Sequence, residues 1–334
     1  MECEWSYLSS DTGYYAKNME IGLTQFDSVL GHIPKPKFLS KTLPDWTLGE
    51  VSIDQEGLRQ NGNSLNTTHE ARILAVGDSF TFGYQVSDSE TWPSCVERTL
   101  NVPVSNGGVF GYGAAQSVLR AEILSRDRYF DVLLLGVLLG HDFPRDQLFF
   151  RSGFSKPAVI ASGEKIQFST PVSLSEYMDK ENSILTALGW LRNHSYVAND
   201  VFDFLKITPA APRMSQRHPS AASVPEIIKF SLERFSAIKG SKKVVVLLYT
   251  EPDAYSRPES VQTELAIIIS EAKRMNLRVI DTLDYLKRYP ASKVWSGHYT
   301  PLGNQLVCDA VVSDLTLEHT RPSWSKPGIK PGIN

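Results

Sequence analysis

The feature that most constrains the fold is an apolar strand that ends at a Gly-Asp-Ser turn. Residues 73–83 read Ile-Leu-Ala-Val-Gly-Asp-Ser-Phe-Thr-Phe-Gly, so four apolar residues lead directly into Gly77, Asp78 and Ser79. Open α/β sheets bind their ligands at the carboxyl ends of the strands. The sequence therefore predicts a serine hydroxyl at that edge of a sheet. The alternative is that Ser79 serves only as a helix N-cap, which accepts a backbone N–H.

Short apolar segments alternate with segments of helical periodicity along the rest of the chain. Predicted strands cover 73–76, 102–104, 131–137, 243–249 and 277–280, and predicted helices cover 90–100, 113–124, 225–238, 261–275 and 301–315. Within 131–137 every residue after Asp131 is apolar or glycine, which is typical of a strand buried on both faces of a parallel sheet. The alternation predicts an α/β sandwich with a mainly five-stranded parallel sheet.

Two regions interrupt this alternation. Residues 1–70 are predicted to form an N-terminal extension packed on the core, with a short strand and turn over 51–59. An insertion over 151–225 within the main domain, 71–315, contains a predicted hairpin at 158–168, a helix at 184–191 and a Pro-rich stretch at 208–213. We expect the insertion to cover the active-site side, since such loops vary most. Residues 316–334 are predicted to be a flexible tail.

Composition narrows the range of partners. The chain has 334 residues, 42% of them hydrophobic and 21% charged, with a formal net charge of -3. This balance gives no reason to expect binding to nucleic acid or to an acidic membrane surface. The longest apolar run, 132–139, is far shorter than the roughly 20 residues that span a bilayer.

The cysteines and the N-terminal residues indicate the cellular compartment in which we expect the protein. Cys3, Cys95 and Cys308 are far apart and odd in number, which favours buried thiols in a reducing compartment over disulfides or a metal site. The first residues have neither a basic flank nor an apolar core, so they do not read as a secretory signal. The sequence predicts a cytoplasmic protein.

A glycine-rich loop follows the second predicted strand. Residues 106–113 read Asn-Gly-Gly-Val-Phe-Gly-Tyr-Gly. Glycines at this density indicate turns with positive φ or close approach of the backbone to a partner. The glycine-rich sequence does not match a phosphate-binding loop, because no Lys-Ser/Thr pair follows it.

Taken in order, these motifs resemble those of the SGNH/GDSL hydrolases. The resemblance implies a three-layer α/β/α sandwich with a flavodoxin-like sheet, Ser79 as nucleophile, and the backbone N–H of Gly111 as an oxyanion donor. The third family block reads Gly-Asn-Asp, whereas this chain has Gly140, His141 and Asp142. His141 thus stands where the family has an oxyanion-binding Asn. Its Nε2–H could replace that donor.

The last block places a histidine before the final predicted helix. Residues 294–304 read Val-Trp-Ser-Gly-His-Tyr-Thr-Pro-Leu-Gly-Asn, and the resemblance implies that His298 is the catalytic base. The family's Asp, two or three residues before that histidine, is missing, since Trp295 and Ser296 occupy those places. Ser296, a backbone carbonyl or the distant Asp253 could orient the imidazole instead. Ser79 and His298 alone would form a dyad.

The resemblance also reaches the extension, where 30–36 and 53–59 look like segments that precede the hydrolase domain in some bacterial members. It implies a serine-dependent acyl ester hydrolase or O-acyltransferase that forms an acyl-serine intermediate. The partner would be a small-molecule acyl ester or acyl donor, such as an acylated metabolite or sugar. No cofactor or metal is implied. The alternative is a degenerate SGNH domain that binds an acylated ligand or a protein partner without turnover, because two family side chains are replaced.

Overall fold

The computed structural model describes residues 23–40, 49–62, 72–151, 154–171, 215–239 and 241–317. Its strands are β1 (Thr24–Asp27), β2 (Gly31–Pro34), β3 (Leu39–Ser40), β4 (Val51–Ser52), β5 (Ile73–Val76), β6 (Val104–Asn106), β7 (Val132–Leu138), β8 (Leu148–Arg151), β9 (Phe154–Ser155), β10 (Val159–Ser162), β11 (Lys165–Phe168), β12 (Ser215–Arg217), β13 (Lys242–Leu248), β14 (Arg278–Asp281), β15 (Trp295–Ser296) and β16 (His298–Tyr299). Its helices are α1 (Ser79–Phe82), α2 (Trp92–Leu100), α3 (Ala114–Leu124), α4 (Asp142–Arg145), α5 (Val224–Ala237), α6 (Glu251–Ser256), α7 (Glu259–Arg274), α8 (Leu283–Leu286), α9 (Ala291–Val294) and α10 (Pro301–Leu317), with a 3₁₀ turn at Asp88–Glu90.

Five strands form one parallel sheet at the centre of the protein. Their order is β14-β13-β7-β5-β6, and every neighbouring pair is parallel. This is the flavodoxin-like order, in which successive strands are added first on one side of β5 and then, from β7 onward, on the other. Every residue of β7 is buried, as expected for the middle strand of a covered sheet.

Helices cover both faces of the sheet. The crossover through α2 runs from β5 to β6, whereas those through α3, α5 and α7 run the opposite way across the sheet. Right-handed crossovers therefore put α2 on one face and the other three helices on the other. The packing agrees, because α2 packs on α10 while α3 and α7 both pack on α5. The predicted three-layer α/β/α fold is confirmed.

The N-terminal extension is joined to the loop after Ser79 by a buried arginine. Arg59 is 2% exposed. Its guanidinium donates to the Asp88 carboxylate at 3.0 Å, to the Phe82 carbonyl at 2.8 Å and to the Val86 carbonyl at 2.6 Å. Burial of a cation needs this kind of saturation by acceptors. The extension thus braces the segment that carries the predicted nucleophile.

The insertion begins with short strands. The predicted hairpin is present as β10 paired antiparallel with β11, and it turns at Gly163, whose φ is +62°. The strands β12 and β9 flank β8 in a separate three-stranded sheet. The predicted helix at 184–191 and the Pro-rich stretch at 208–213 lie outside the described residues. The predicted placement of the insertion over the active site stays a prediction.

The prediction of reduced cysteines is wrong for two of the three. Cys95 on α2 and Cys308 on α10 form a disulfide, with their Cα atoms 5.9 Å apart across 213 residues of sequence. Distance along the chain gave no sign of this, because it is the packing of α2 on α10 that brings the two thiols together. Disulfides persist in oxidising compartments. The bond therefore removes the support that free thiols gave to a cytoplasmic location.

None of the helices in the described ranges is long and apolar enough to span a bilayer.

Candidate active site

The Gly-Asp-Ser turn presents Ser79 at the carboxyl end of β5. Asp78 is the N-cap of α1, since its Oδ1 accepts from the N–H of Phe80 at 2.9 Å. A Cβ on Gly77 would come within 2.2 Å of Thr81 Oγ1 and 3.0 Å of the Gly136 carbonyl, so only glycine lets the turn pack on β7. Because Asp78 supplies the cap, the Ser79 hydroxyl is left for another role.

Ser79 and His298 meet although they are 219 residues apart. Ser79 Oγ lies 2.9 Å from His298 Nε2. The imidazole has Phe80 and Tyr84 as aromatic neighbours, with ring centroids 4.7 and 4.8 Å away. The N–H of His298 donates to Gln85 Oε1 at 3.3 Å. The structure therefore brings together the nucleophile and the base that the sequence predicts.

His298 is held in the neutral form. Burial lowers the pKa of the imidazole to about 4, an effect that the Asp78 carboxylate opposes and the Arg145 guanidinium reinforces. A neutral imidazole can accept the proton of Ser79, whereas an imidazolium cannot. The imidazole can thus accept a proton at neutral pH.

Neither side chain proposed to orient His298 does so in the structure. Ser296 is exposed, and its contact with His298 is the backbone pairing of β15 with β16. The Asp253 carboxylate instead accepts from Thr250 Oγ1 at 2.6 Å and from His141 Nε2 at 2.9 Å. Among the described residues, no carboxylate hydrogen-bonds to the imidazole of His298. Serine and histidine form a dyad here, with the ring held by aromatic packing.

Two backbone N–H groups, those of Ser79 and Gly111, have no acceptor among the described residues. The resemblance implies the Gly111 N–H as an oxyanion donor. The glycine-rich loop is tied along the end of β5, since Gly107 N donates to the Ala75 carbonyl at 2.7 Å and Val109 N to the Gly77 carbonyl at 2.9 Å. Unpaired N–H groups beside a nucleophile are suited to bind a developing oxyanion.

The imidazole of His141 pairs with the carboxylate of Asp253. Its Nε2 lies 2.9 Å from Asp253 Oδ2, and a carboxylate only accepts, so Nε2–H donates to Asp253. In this structure Asp253 engages the Nε2 of His141, and the role of His141 as an oxyanion donor stays a prediction.

A buried cluster of charges underlies the nucleophile turn. Arg145 Nη1 donates to Asp78 Oδ2 and to Asp142 Oδ1, both at 2.8 Å. Asp142 Oδ2 accepts from Leu138 N at 2.8 Å, which ties the loop to the end of β7. Burial, followed by the charge of Asp78, raises the pKa of Asp142 well above its usual range. Arg145 thus links the ends of β5 and β7, although no sequence motif pointed to it.

Among the described residues, no group of three His, Cys, Asp or Glu side chains is placed to hold a metal ion.

Comparisons with known proteins gave matches among solved structures alone. No family model matches the chain, and neither does any curated protein. A member of the lipolytic protein G-D-S-L family from Veillonella parvula is similar at 14% identity and a TM-score of 0.41, covering 72% of this chain and 96% of that one. The lipase/acylhydrolase from Enterococcus faecalis is similar at 15% identity and a TM-score of 0.38, over 73% of this chain and 95% of its own.

A third structure is a mutant of Axe2, an acetyl-xylooligosaccharide esterase from Geobacillus. It is similar at 13% identity and a TM-score of 0.37, over 76% of this chain and 97% of that one. These scores are too low to support a statement about substrate or reaction. Solved structures similar to this chain thus include G-D-S-L lipolytic and esterase proteins, at identities of 13–15%.

Proposed function

We propose that this chain is a serine ester hydrolase of the SGNH/GDSL type, with Ser79 as nucleophile and His298 as base. The observation that carries the proposal is the 2.9 Å separation of Ser79 Oγ and His298 Nε2 at the carboxyl edge of the sheet. A neutral imidazole within hydrogen-bond distance of a serine hydroxyl is the arrangement that activates the hydroxyl.

The reaction follows from the positions of these groups. Ser79 Oγ attacks the acyl carbonyl carbon while its proton passes to His298 Nε2. The Ser79 and Gly111 N–H groups stabilise the resulting oxyanion. As the tetrahedral intermediate collapses, Nε2–H protonates the leaving alcohol, and the acyl group stays on Ser79. Water then attacks the acyl-serine and gives its proton to Nε2. Release of the carboxylic acid returns the proton to Ser79.

The acyl acceptor decides between hydrolysis and transfer. Water gives an esterase, and a hydroxyl of a second substrate gives an O-acyltransferase through the same acyl-Ser79. We propose hydrolysis of a small acylated metabolite or sugar as the reaction, because water needs no second binding site.

A fluorophosphonate probe tests the proposal directly. Ser79 Oγ is expected to displace fluoride and form a bond to phosphorus, so that a single adduct appears on the peptide containing Ser79. The measurement is mass spectrometry of the digested protein. Ser79→Ala is the control that should not be labelled, and a known serine esterase confirms that the probe is active.

One observation favours a second candidate function. The imidazole of His298 has no carboxylate partner among the described residues, and loss of that group weakens triads strongly. A domain that binds an acylated ligand without turnover would have this feature. Folded protein that resists the probe would support the binding domain and contradict the hydrolase.

The pH dependence of hydrolysis follows from the lowered pKa of His298. Protonated His298 cannot accept the proton of Ser79, so kcat/KM is expected to be flat at neutral pH and to fall in acid with a midpoint near pH 4, where the pKa of His298 lies. The measurement is the initial rate with p-nitrophenyl acetate from pH 3.5 to 8.

Stability must be followed in the same experiment. Burial also lowers the pKa of His32, to about 3. Both histidines bind a proton more tightly in the unfolded chain, so folding stability falls as the pH drops below 6.5 towards these values. Circular dichroism at each pH separates unfolding from titration of the base. A reversible midpoint near pH 6.5 in folded protein would contradict a buried, carboxylate-free imidazole.

A further inference from the structure

A histidine in the N-terminal extension contacts the peptide group that carries the Gly111 N–H. His32 lies on β2 and is 1% exposed. Its Nε2 is 3.0 Å from the carbonyl oxygen of Phe110. A carbonyl only accepts, so Nε2–H is the donor in this bond. Burial, and then the charge of Lys156, lowers the pKa of His32 to about 3, so the ring stays neutral.

This bond fixes the direction of the Gly111 N–H. The carbonyl of Phe110 and the N–H of Gly111 belong to one peptide group, and the protein has no cis peptide bonds among its described residues. In a trans peptide the C=O and N–H point in opposite directions. Holding the carbonyl on the side of His32 therefore holds the N–H on the opposite side.

The loop needs such a support at this position. Gly111 has φ +76°, and a glycine can change between positive and negative φ at little energetic cost. The next peptide group is held as well, because the Nζ of Lys156 donates to the Gly111 carbonyl at 2.7 Å. Lys156 comes from the insertion and is 1% exposed. Two buried side chains from outside the sheet thus hold the peptide groups on either side of Gly111.

His32 is itself held in place. The hydroxyl of Tyr112 donates to the His32 carbonyl at 2.5 Å, and the two rings meet edge to face at 5.1 Å. Gln116 Nε2 donates to the Leu30 carbonyl at 2.7 Å. A Cβ on Gly31 would come within 2.1 Å of the Ser155 carbonyl, which shows how closely this strand packs against β9. The position of the donor is therefore fixed by the fold.

We infer that His32 is a positioning residue for the reaction, which aims the Gly111 N–H at the oxyanion through its bond to the Phe110 carbonyl. The inference rests on the proposed function, since Gly111 matters in this way only if an acyl group is transferred to Ser79. On this inference the N-terminal extension contributes to catalysis, in addition to the Gly-Asp-Ser turn and His298.

A pair of amide variants tests it. In His32→Gln the amide nitrogen can take the place of Nε2, whereas in His32→Asn it lies nearer the position of Nδ1 and falls short of Phe110. Loss of one oxyanion donor costs about 10²–10³ in kcat, and a misdirected donor costs less. We expect His32→Asn to lower kcat for p-nitrophenyl acetate about 10- to 100-fold with KM changed little, because the oxyanion exists only beyond the ground state. His32→Gln should restore most of the lost kcat.

A matched control separates positioning from loosening of the strand. Ile33→Ala removes packing from the neighbouring residue of β2 but leaves the bond to Phe110. It should lower the melting temperature and leave kcat near that of the unaltered protein. Equal kcat in His32→Asn and the unaltered protein, failure of His32→Gln to recover, or an equal loss of kcat in Ile33→Ala would each overturn the inference.

The Ser79→Ala variant distinguishes failure of the His32 inference from failure of the proposed function. If Ser79→Ala still hydrolyses the ester at the full rate, the proposed function itself is wrong. If Ser79→Ala is inactive while His32→Asn is fully active, the hydrolase proposal stands and only the role of His32 is lost.

Discussion

Replacing Ser79 with alanine is expected to lower kcat for ester hydrolysis by a factor of about 10⁴ to 10⁶, as loss of a serine nucleophile does in other hydrolases. The reason is that the acyl group has no other side chain to which it can transfer. His298→Gln should cause a loss of similar order, because Ser79 Oγ then loses the base 2.9 Å away. The double variant should be no worse than either single variant, since the two groups act as a unit.

Ser296→Ala is the matched control for the dyad. Ser296 is exposed and donates no side-chain hydrogen bond to His298 among the described residues. Its removal should leave kcat within about threefold of the unaltered protein, since surface changes away from a site have small effects. The measurement is kcat and KM for p-nitrophenyl acetate, with circular dichroism to confirm folding. A large loss in Ser296→Ala would mean that its hydroxyl orients the base after all.

Removing the bond between Cys95 and Cys308 is expected to lower the free energy of unfolding by about 2–5 kcal/mol. The bond joins residues 213 positions apart, and cross-links that close long loops restrict the unfolded chain most. Cys95→Ser and the Cys95→Ser/Cys308→Ser double variant should be destabilised to a similar extent, because either one abolishes the bond. The measurement is urea unfolding of the oxidised protein beside both variants.

A thiol count provides the control for the disulfide. Three cysteines with one bond leave one free thiol per chain when the protein is denatured without reductant. Finding three free thiols would contradict the bond. The prediction of reduced cysteines from their spacing would then be correct.

The sheet and most of its helices could be predicted from the sequence because their signals are local. The apolar residues within 131–137 mark a strand that the structure places at Val132–Leu138, one residue later than predicted. Pro93 and Thr91 mark the start of α2, where Thr91 accepts from Ser94 N and a proline occupies the first turn. Such features depend on neighbouring residues alone, so the sequence contains them directly.

The pairing of Ser79 with His298 could also be predicted from the sequence, but the contacts around the pair could not. Ser79 and His298 stand in recognisable motifs. The pairing of Asp253 with His141, by contrast, depends on how the ends of β7 and β13 meet, and two residues 112 positions apart give no sign of it in sequence. The same holds for Arg145 beneath the nucleophile and for His32 behind the glycine loop. Buried polar contacts of this kind are set by tertiary packing, which periodicity does not encode.

The disulfide also provides a second covalent connection between the part of the chain that contains Ser79 and the part that contains His298. Cys95 lies on the helix that follows the nucleophile turn, and Cys308 lies on the helix that follows the base. The N–H of Trp92 donates to Asn304 Oδ1 at 3.0 Å across the same pair of helices. A chain cleaved between Leu100 and His298 would therefore remain a single covalent molecule that contains both Ser79 and His298. Once the bond is reduced, unfolding would separate such a nicked protein into two fragments, one with Ser79 and the other with His298.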